Sequence, residues 1–330
     1  MVTLKEIANA VGVSTATVSR VLNFDSTLSV TAKKRQAIIE AAERLNYATP
    51  RNRNRANQQG LSKVALVHFL RPDQELIDPY YVGLRLGIES RCAALKVETV
   101  KVYHTDSMPD ANLLQSASGV IAIGRQDDAE VAWLKRHARH IVFADFAPAD
   151  DEVDSVQGDL TLAMRKLLAA MVEMGYRHIA YLGVNDIRGM TYVTWMREAR
   201  LYDEHLSRGD NNTEEGGYRA AKTLLSEGHK VDALVLFNDS MAVGAYRAIH
   251  ELGLRIPDDI AVASFNDISV AQFMNPPLST VHLPSEEIGE TAVELLLERA
   301  GGRELAKRIT LASRLIWRGS TRHPVLGSPV

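Results

Sequence analysis

The apolar positions of this chain change their period twice. Leu4, Ile7, Ala8 and Val11 recur at helical spacing, and Gly12 then interrupts them with a residue suited to a tight turn. Ser14 follows as a candidate N-cap, and Val18, Val21 and Leu22 give the next segment its apolar face. Residues 31–46 predict a third amphipathic helix with Ile38, Ile39, Ala42 and Leu45 inward. Residues 47–60 (YATPRNRNRANQQG) are polar and Pro-punctuated with no apolar face, so they read as a linker. Beyond Leu61, short β-rich runs alternate with helical stretches. VALVHFL (64–70), VETVKVY (97–103), GVIAI (119–123) and HIVFAD (140–145) form one group of strands. HIAYL (178–182), ALVLF (233–237) and IAVASF (260–265) form a second. Alternation of this kind predicts βαβ units, and two groups suggest two parallel-sheet lobes, joined near 156–160 and again near 282. The predicted architecture is an all-α head (1–46), a linker (47–60) and a large α/β body (61–330).

Charge separates head from body more sharply than the whole-chain value suggests. The net formal charge of −3 alone argues against nucleic acid. Yet residues 1–60 hold nine basic and four acidic side chains, a net +5, which leaves −8 on the remainder. Only the head is therefore suited to phosphate. Helix, short Gly-containing turn, helix is the helix-turn-helix arrangement, and the N-terminal part of the second helix is what enters a major groove. Here that part is Ser14-Thr15-Ala16-Thr17, small enough for close approach to base edges. Ala16 and the threonine methyls suit a thymine methyl, and Arg20 can donate to guanine O6 and N7. Ser19, Asn23, Lys33 and Arg35 are better placed for phosphates, which position without reading sequence. Arg51, Arg53 and Arg55 would make the linker a basic strap along a groove. The plainer alternative is a small helical bundle with a solvated basic face.

Other chemistries find little support. One cysteine, Cys92, rules out an intramolecular disulfide framework and reads as a small buried apolar residue. Neither a signal-peptide pattern nor an apolar run long enough to span a membrane is present, so the expectation is a cytoplasmic protein with no membrane partner. No G-x-G-x-x-G follows a strand and no Walker lysine motif occurs, so no cofactor is expected. No nucleophile–base pair is apparent, so no catalytic residue is assigned. His137 and His140, taken as lying on one charged helix, lack a cysteine or carboxylate set and read as a solvated face, not metal ligands. The acidic run Asp150, Asp151, Glu152 and Asp154 likewise reads as a solvated loop.

At TLKEIANAVGVSTATVSRVLN the sequence resembles the lactose/galactose-repressor family of bacterial regulators. The likeness continues through DPYYVGLRLGIE (78–89), FNDSMAVGAYRAIHELGLRIPDDIAVASFND (237–267) and PPLSTV (276–281). Within the family, DPYY and the NDI-A-F-PPLSTV run look most like the branch serving the evolved β-galactosidase operon. The resemblance implies a helix-turn-helix head on a periplasmic-binding-protein-like body whose C-terminal segment crosses back, giving lobes of 61–158 with 283–311 and 159–282 with 312–322. It also implies a homodimer reading a near-palindromic, double-stranded operator. By position, Thr3, Thr15, Ala16, Thr17, Ser19, Arg20 and Asn23 match the family's DNA contacts. One departure stands out: relatives carry an Ala-Arg-Leu hinge whose leucine wedges into the minor groove, whereas here no Leu occurs between Tyr47 and Leu61.

In open α/β sheets, ligands bind outside the carboxyl ends of the strands. Asp145, Asn238, Asp239, Asn266 and Asp267 stand there, and the loop after HIAYL leads to Arg197. Such residues beside an aromatic surface suit a sugar, whose hydroxyls need paired polar partners and whose ring face stacks. The resemblance assigns Asp145, Arg197, Asn238 and Asn266 to the effector, with Tyr80 and Tyr81 as the aromatic surface. Asn238 and Asp239 could instead cap the helix after their strand, the role expected for Asp239; Asp267 likewise reads as a cap, and Arg197 has a surface ion pair as its plainer reading. The function read here is sugar-responsive repression, with a galactoside inducer that weakens operator binding by resemblance. A periplasmic-type sugar carrier, an enzyme on the same scaffold and a corepressor mode are the rival readings.

Overall fold

A computed structural model of the chain describes residues 3–22, 28, 30–45, 60–71, 75, 78–103 and 110–322. Asn23, Arg51, Arg53, Arg55 and the linker up to residue 59 lie outside the described residues.

The head consists of α1 (Leu4–Val11), α2 (Thr15–Leu22) and α3 (Ala32–Arg44). Ile7, Ala8, Val18, Val21, Ile38, Ala41 and Ala42 meet in one small core that all three helices share. The first helix start is fixed by a reciprocal box: Glu6 N–H donates to Thr3 Oγ1 at 3.3 Å, and Thr3 N–H donates to Glu6 Oε2 at 2.6 Å. The bond from the Thr3 backbone, reinforced by its hydroxyl, holds the Glu6 carboxyl below its usual range. Gly12 ends α1 at φ 67° with open space where a Cβ would sit, so the position needs the left-handed backbone and not the small volume. Ser14 Oγ accepts from Thr17 N–H at 3.1 Å and so caps α2, as its place in the sequence suggests.

The body falls into two compact units. The first contains Tyr81–Gln157 and Ser285–Ile309, and the second Gly158–Pro284 with the residues from Thr310 onward. In the first unit lie β1 (Lys63–His68), β2 (Glu98–Val102), β3 (Gly119–Ile123), β4 (Ile141–Ala144), β5 (Asp154–Gly158) and β11 (Arg308–Leu311), in sheet order β11-β5-β4-β3-β1-β2. β1 runs parallel to β2 and β3, and β3, β4 and β5 continue in the same sense. Helices α4 (Pro79–Leu95), α5 (Ala111–Ser116), α6 (Asp128–His137) and α11 (Ser285–Ala300) belong to this unit. Interior strands read as continuous apolar runs because helices cover both faces of such a sheet, and every residue of GVIAI is buried.

The second unit repeats the plan. Its strands are β6 (Ile179–Leu182), β7 (Ser207–Arg208), β8 (Ala233–Leu236), β9 (Ala261–Asn266), β10 (Ser279–His282) and β12 (Arg314–Ile316), in order β12-β10-β9-β8-β6-β7. β12 runs antiparallel to β10, while β6, β8, β9 and β10 are mutually parallel. Its helices are α7 (Leu160–Glu173), α8 (Ile187–Glu198), α9 (Glu214–Ser226) and α10 (Asp239–Glu251). A Cβ on Gly217 would strike the Met241 carbonyl, and one on Gly244 the Glu214 carbonyl. These two glycines let α9 and α10 touch backbone to backbone, which pins the start of α10 against its neighbour.

Two sequence expectations change here. Asp154 is no solvated loop residue: it opens β5, fully buried, within 2.8 Å of both Arg299 and Arg303. Burial would raise its carboxyl, but the Arg303 and Arg299 guanidiniums and the Lys307 N–H more than offset this and hold it below the usual range. His137 ends α6 while His140 lies beyond it, so they do not share a helix. His137 Nδ1 donates to the Trp133 carbonyl at 2.8 Å with its ring 4.5 Å from the indole. Cys92 is buried, which pushes its thiol up to about 12.

Candidate functional site

The second helix of the head presents a narrow polar face. Val18 and Val21 turn inward, Thr15, Ala16 and Arg20 are exposed, and Thr17 and Ser19 are half-buried. Residues 15, 16, 19 and 20 therefore share one side, as helical spacing requires. Thr3 and Ser14 have local tasks: Thr3 Oγ1 also donates to Glu6 Oε2 at 3.1 Å, and Ser14 and Thr17 hydroxyls lie 2.8 Å apart. Lys33 is exposed on α3, and the half-buried Arg35 donates to the Leu28 carbonyl at 3.4 Å. A helix start of small residues beside Arg20 is what lets a backbone approach base edges closely.

In the second unit, polar residues gather where β6, β8, β9 and β10 end. Asn238, directly after the β8 run, caps α10: its Oδ1 accepts from Met241 N–H at 2.9 Å and its Nδ2 donates to the Asn212 carbonyl at 3.1 Å. Beside it stands an arginine that the sequence reading missed. Arg188, two residues after the α8 cap Asp186, is only 8% exposed. Its Nε and Nη2 donate to Asp186 at 2.9 and 2.8 Å, and its Nη1 donates to the Phe237 carbonyl at 2.9 Å. The guanidinium lies 3.4 Å over the Phe237 ring.

Arg197, the arginine named from the sequence, does not join this group. It sits in the last turn of α8, exposed, with its guanidinium 4.7 Å over Tyr202. Nine residues of helix separate it from Arg188, which is roughly 13 Å of rise. The usable signal was position: Arg188 follows β6 after a short loop, where a strand end meets a helix start.

Asn266 and Asp267 close β9 with φ of 108° and 58°, the left-handed region that non-glycine residues avoid. Asn266 is 9% exposed, and its side chain has no hydrogen-bond partner among the described residues. Asp267 is not the expected cap. It accepts from Arg318 Nη2 at 2.7 Å and pairs with His282 Nδ1 at 3.2 Å, while the turn at Ser269–Phe273 begins without a side-chain cap. Asp239 is not a cap either: Asn238 fills that role, and Asp239 lies inside the first turn of α10, fully buried.

The first unit has its own group at the ends of β1, β3 and β4. Asp145 follows β4 with φ 60°, and Tyr81 Oη donates to its Oδ2 at 3.0 Å. The Phe69 ring meets Tyr81 edge-on at 4.9 Å and passes over Gly124, where a Cβ would collide with it. Tyr80 is buried, while Tyr81 is half-buried and better suited to offer a ring face. Among the described residues, no set of three His, Cys, Asp or Glu side chains could hold a metal ion. No helix among them is long and apolar enough to cross a membrane.

A two-sheet α/β body behind a three-helix head with a helix-turn-helix defines a class of protein, and comparison with known proteins settles which. Residues 3–50 match the family of bacterial regulatory proteins called lacI, and residues 168–321 match the periplasmic binding protein-like domain. The HTH-type transcriptional repressor MelR of Bacillus subtilis (strain 168) is 35% identical over 337 residues, covering 97% of both chains. The lactose operon repressor of Rhizobium radiobacter is 56% identical over 110 residues, 33% of this chain and 97% of that one. Among solved structures, a complex of the transcriptional regulator CelR with cellobiose superposes with a TM-score of 0.71 at 26% identity, over 97% of this chain and 100% of that one. The chain belongs to the lacI family of bacterial regulatory proteins, as a DNA-binding transcriptional repressor.

Proposed function

We propose that this repressor responds to a galactoside, which binds at the strand ends of the body and weakens the hold of the head on its operator. The observation that carries the sugar reading is the gathering of Arg188, Phe237, Asn238 and Asn266 at the carboxyl ends of the strands of one sheet. It offers charged and amide groups next to an aromatic ring, the combination that sugar hydroxyls and a sugar face require. At the strand ends of the first unit, Asp145 and Tyr81 offer a carboxylate and a ring of the same chemistry. The galactoside reading is supported by the 56% identity to a lactose operon repressor. Relatives also include a ribose operon repressor and a cellobiose-bound regulator, so sugar identity varies across this fold.

On the DNA side, Thr15 and Ala16 select bases, Thr17 and Arg20 extend the readout, and Ser19, Lys33 and Arg35 hold phosphates. Two copies read two half-sites, so protein symmetry and operator symmetry correspond. Calorimetric titration of the full chain with lactose, melibiose, cellobiose and ribose tests the effector assignment. Binding of a galactoside in preference to cellobiose and ribose is the expected outcome. Preferential binding of cellobiose or ribose would overturn the galactoside assignment, and binding of none would overturn the sugar reading.

A further inference from the structure

The strand ends of the second unit contain a buried carboxylate that sugar contact leaves without a task. Asp239 is 0% exposed. Its Oδ2 accepts from Ile268 N–H at 2.8 Å, and its Oδ1 accepts from the Thr280 hydroxyl at 2.7 Å and from the Ser264 hydroxyl. The three donors come from three places: β9, β10 and the turn that leaves β9. Between Ser264 and Ile268 lies the left-handed pair Asn266 and Asp267. Two successive non-glycine residues in that conformation persist only where the surroundings over-determine them. Asp239 fixes the backbone on the far side of the pair, and Arg318 and His282 fix the Asp267 side chain. What this turn displays is the Asn266 amide, on a residue 9% exposed and with no hydrogen bond to its side chain among the described residues. Its amide N and O are not sealed from solvent, so a ligand can reach both a donor and an acceptor there.

We propose that Asp239 is a positioning residue of the effector site: by holding Ile268 it sets the Asn266–Asp267 turn and presents the Asn266 amide to the sugar. The inference rests on the sugar reading above and adds a residue that touches no ligand. Burial pushes the Asp239 carboxyl up to about 6, against the pull of its three donors, so the fold keeps an unfavourable buried acid here. That is the pattern expected of a group retained for placement and not for stability.

The test uses the full chain as wild type, Asp239→Ala, Asp239→Asn and Thr280→Val. Amide hydrogen exchange is followed without sugar, and calorimetry is run with lactose, melibiose, cellobiose and ribose. Asp239→Ala is expected to speed exchange across residues 265–269 and to weaken sugar binding by about tenfold or more, the scale of a lost bond to a charged group. In Asp239→Asn the amide oxygen still accepts from Ile268 while its NH₂ donates to the two hydroxyls. That variant is expected to restore both readouts to within about threefold of wild type. Thr280→Val removes one hydroxyl donor, leaves the Ile268 bond and is expected to behave like Asp239→Asn. Unchanged exchange in Asp239→Ala overturns the clamp, and a released turn with unchanged affinity overturns the positioning role. Should Asp239→Ala not fold, a Thr280→Val variant that binds sugar about tenfold more weakly overturns the proposal, because general packing would then explain the effect. A wild type that takes none of the sugars strikes the sugar reading and the positioning role together, while exchange still judges the clamp.

Discussion

Replacing Arg188 by methionine separates two arginines that the sequence alone confuses. Methionine keeps most of the apolar volume over Phe237 but removes the guanidinium bonds to Asp186 and to the Phe237 carbonyl. Hydrogen bonds to charged groups are worth about 1.5–3 kcal/mol each. Asp186 would keep its bonds from the N–H groups of residues 188 and 189, and its side chain is 20% exposed, so solvent offsets part of the loss. The expected cost to folding is therefore about 1–3 kcal/mol, not the larger penalty of a fully buried orphan charge. For the sugar, one lost charged donor is about 1.5–3 kcal/mol, or roughly 10- to 150-fold in Kd. Arg197→Ala removes an exposed contact with Tyr202, worth about 0.5–1 kcal/mol, and should leave sugar affinity within about threefold. Calorimetry on both variants, with thermal melting to confirm folding, reads the difference. Loss of binding in Arg197→Ala with wild-type binding in Arg188→Met would refute the reasoning.

Four further outcomes follow from the same structure. Gly12→Ala places a Cβ on a left-handed residue and should destabilise the head by about 1–2 kcal/mol, read as weaker operator binding on warming; unchanged binding would show the turn can relax. Lys33→Ala should weaken operator binding uniformly across sequences and lower the salt slope by about one, whereas changing Thr15 or Ala16 should alter base preference; a sequence-dependent effect of Lys33→Ala would reverse that assignment. His68 is buried, and burial pushes its imidazole down to about 4 against the attraction of Glu75. At this group the native state then binds fewer protons than the unfolded chain, so its contribution to stability is full above about pH 6.5 and falls as pH drops toward 4, by about 3 kcal/mol at most. Urea melts across that window should show wild type losing stability relative to His68→Phe as pH falls, and equal slopes in the two proteins would contradict it. Cys92 should resist thiol reagents at pH 8 until the chain unfolds, and prompt labelling of the native protein would contradict its burial.

Much of this fold was legible because burial wrote it into the sequence. The three head helices follow from apolar spacing, a glycine at a turn needing a positive φ, and a cap at Ser14, while the Thr3 cap was not read from the sequence. Interior strands such as β3 and β8 are continuous apolar runs. Other strands were not legible: β5, inside its sheet, reads DSVQG, and β7, at an edge, has two residues. Asp154 looked solvated because its partners, Arg299 and Arg303, lie 145 and 149 residues away in sequence. The candidate site divides in the same way. Asn238 and Asn266 end strands and could be named, but choosing Arg188 over Arg197 needed the phase and length of α8. The clamp by Asp239 depends on donors 25 to 41 residues distant, which no local pattern announces.

In the proposed mechanism a galactoside-sensing body governs a DNA-reading head. Fluorescence anisotropy of a labelled operator, titrated with the full chain at fixed salt with and without saturating lactose, addresses it directly. Allosteric coupling of this kind is typically about 1–3 kcal/mol, so lactose is expected to weaken operator affinity by roughly 5- to 150-fold. An operator affinity that lactose leaves unchanged, or tightens, would contradict it.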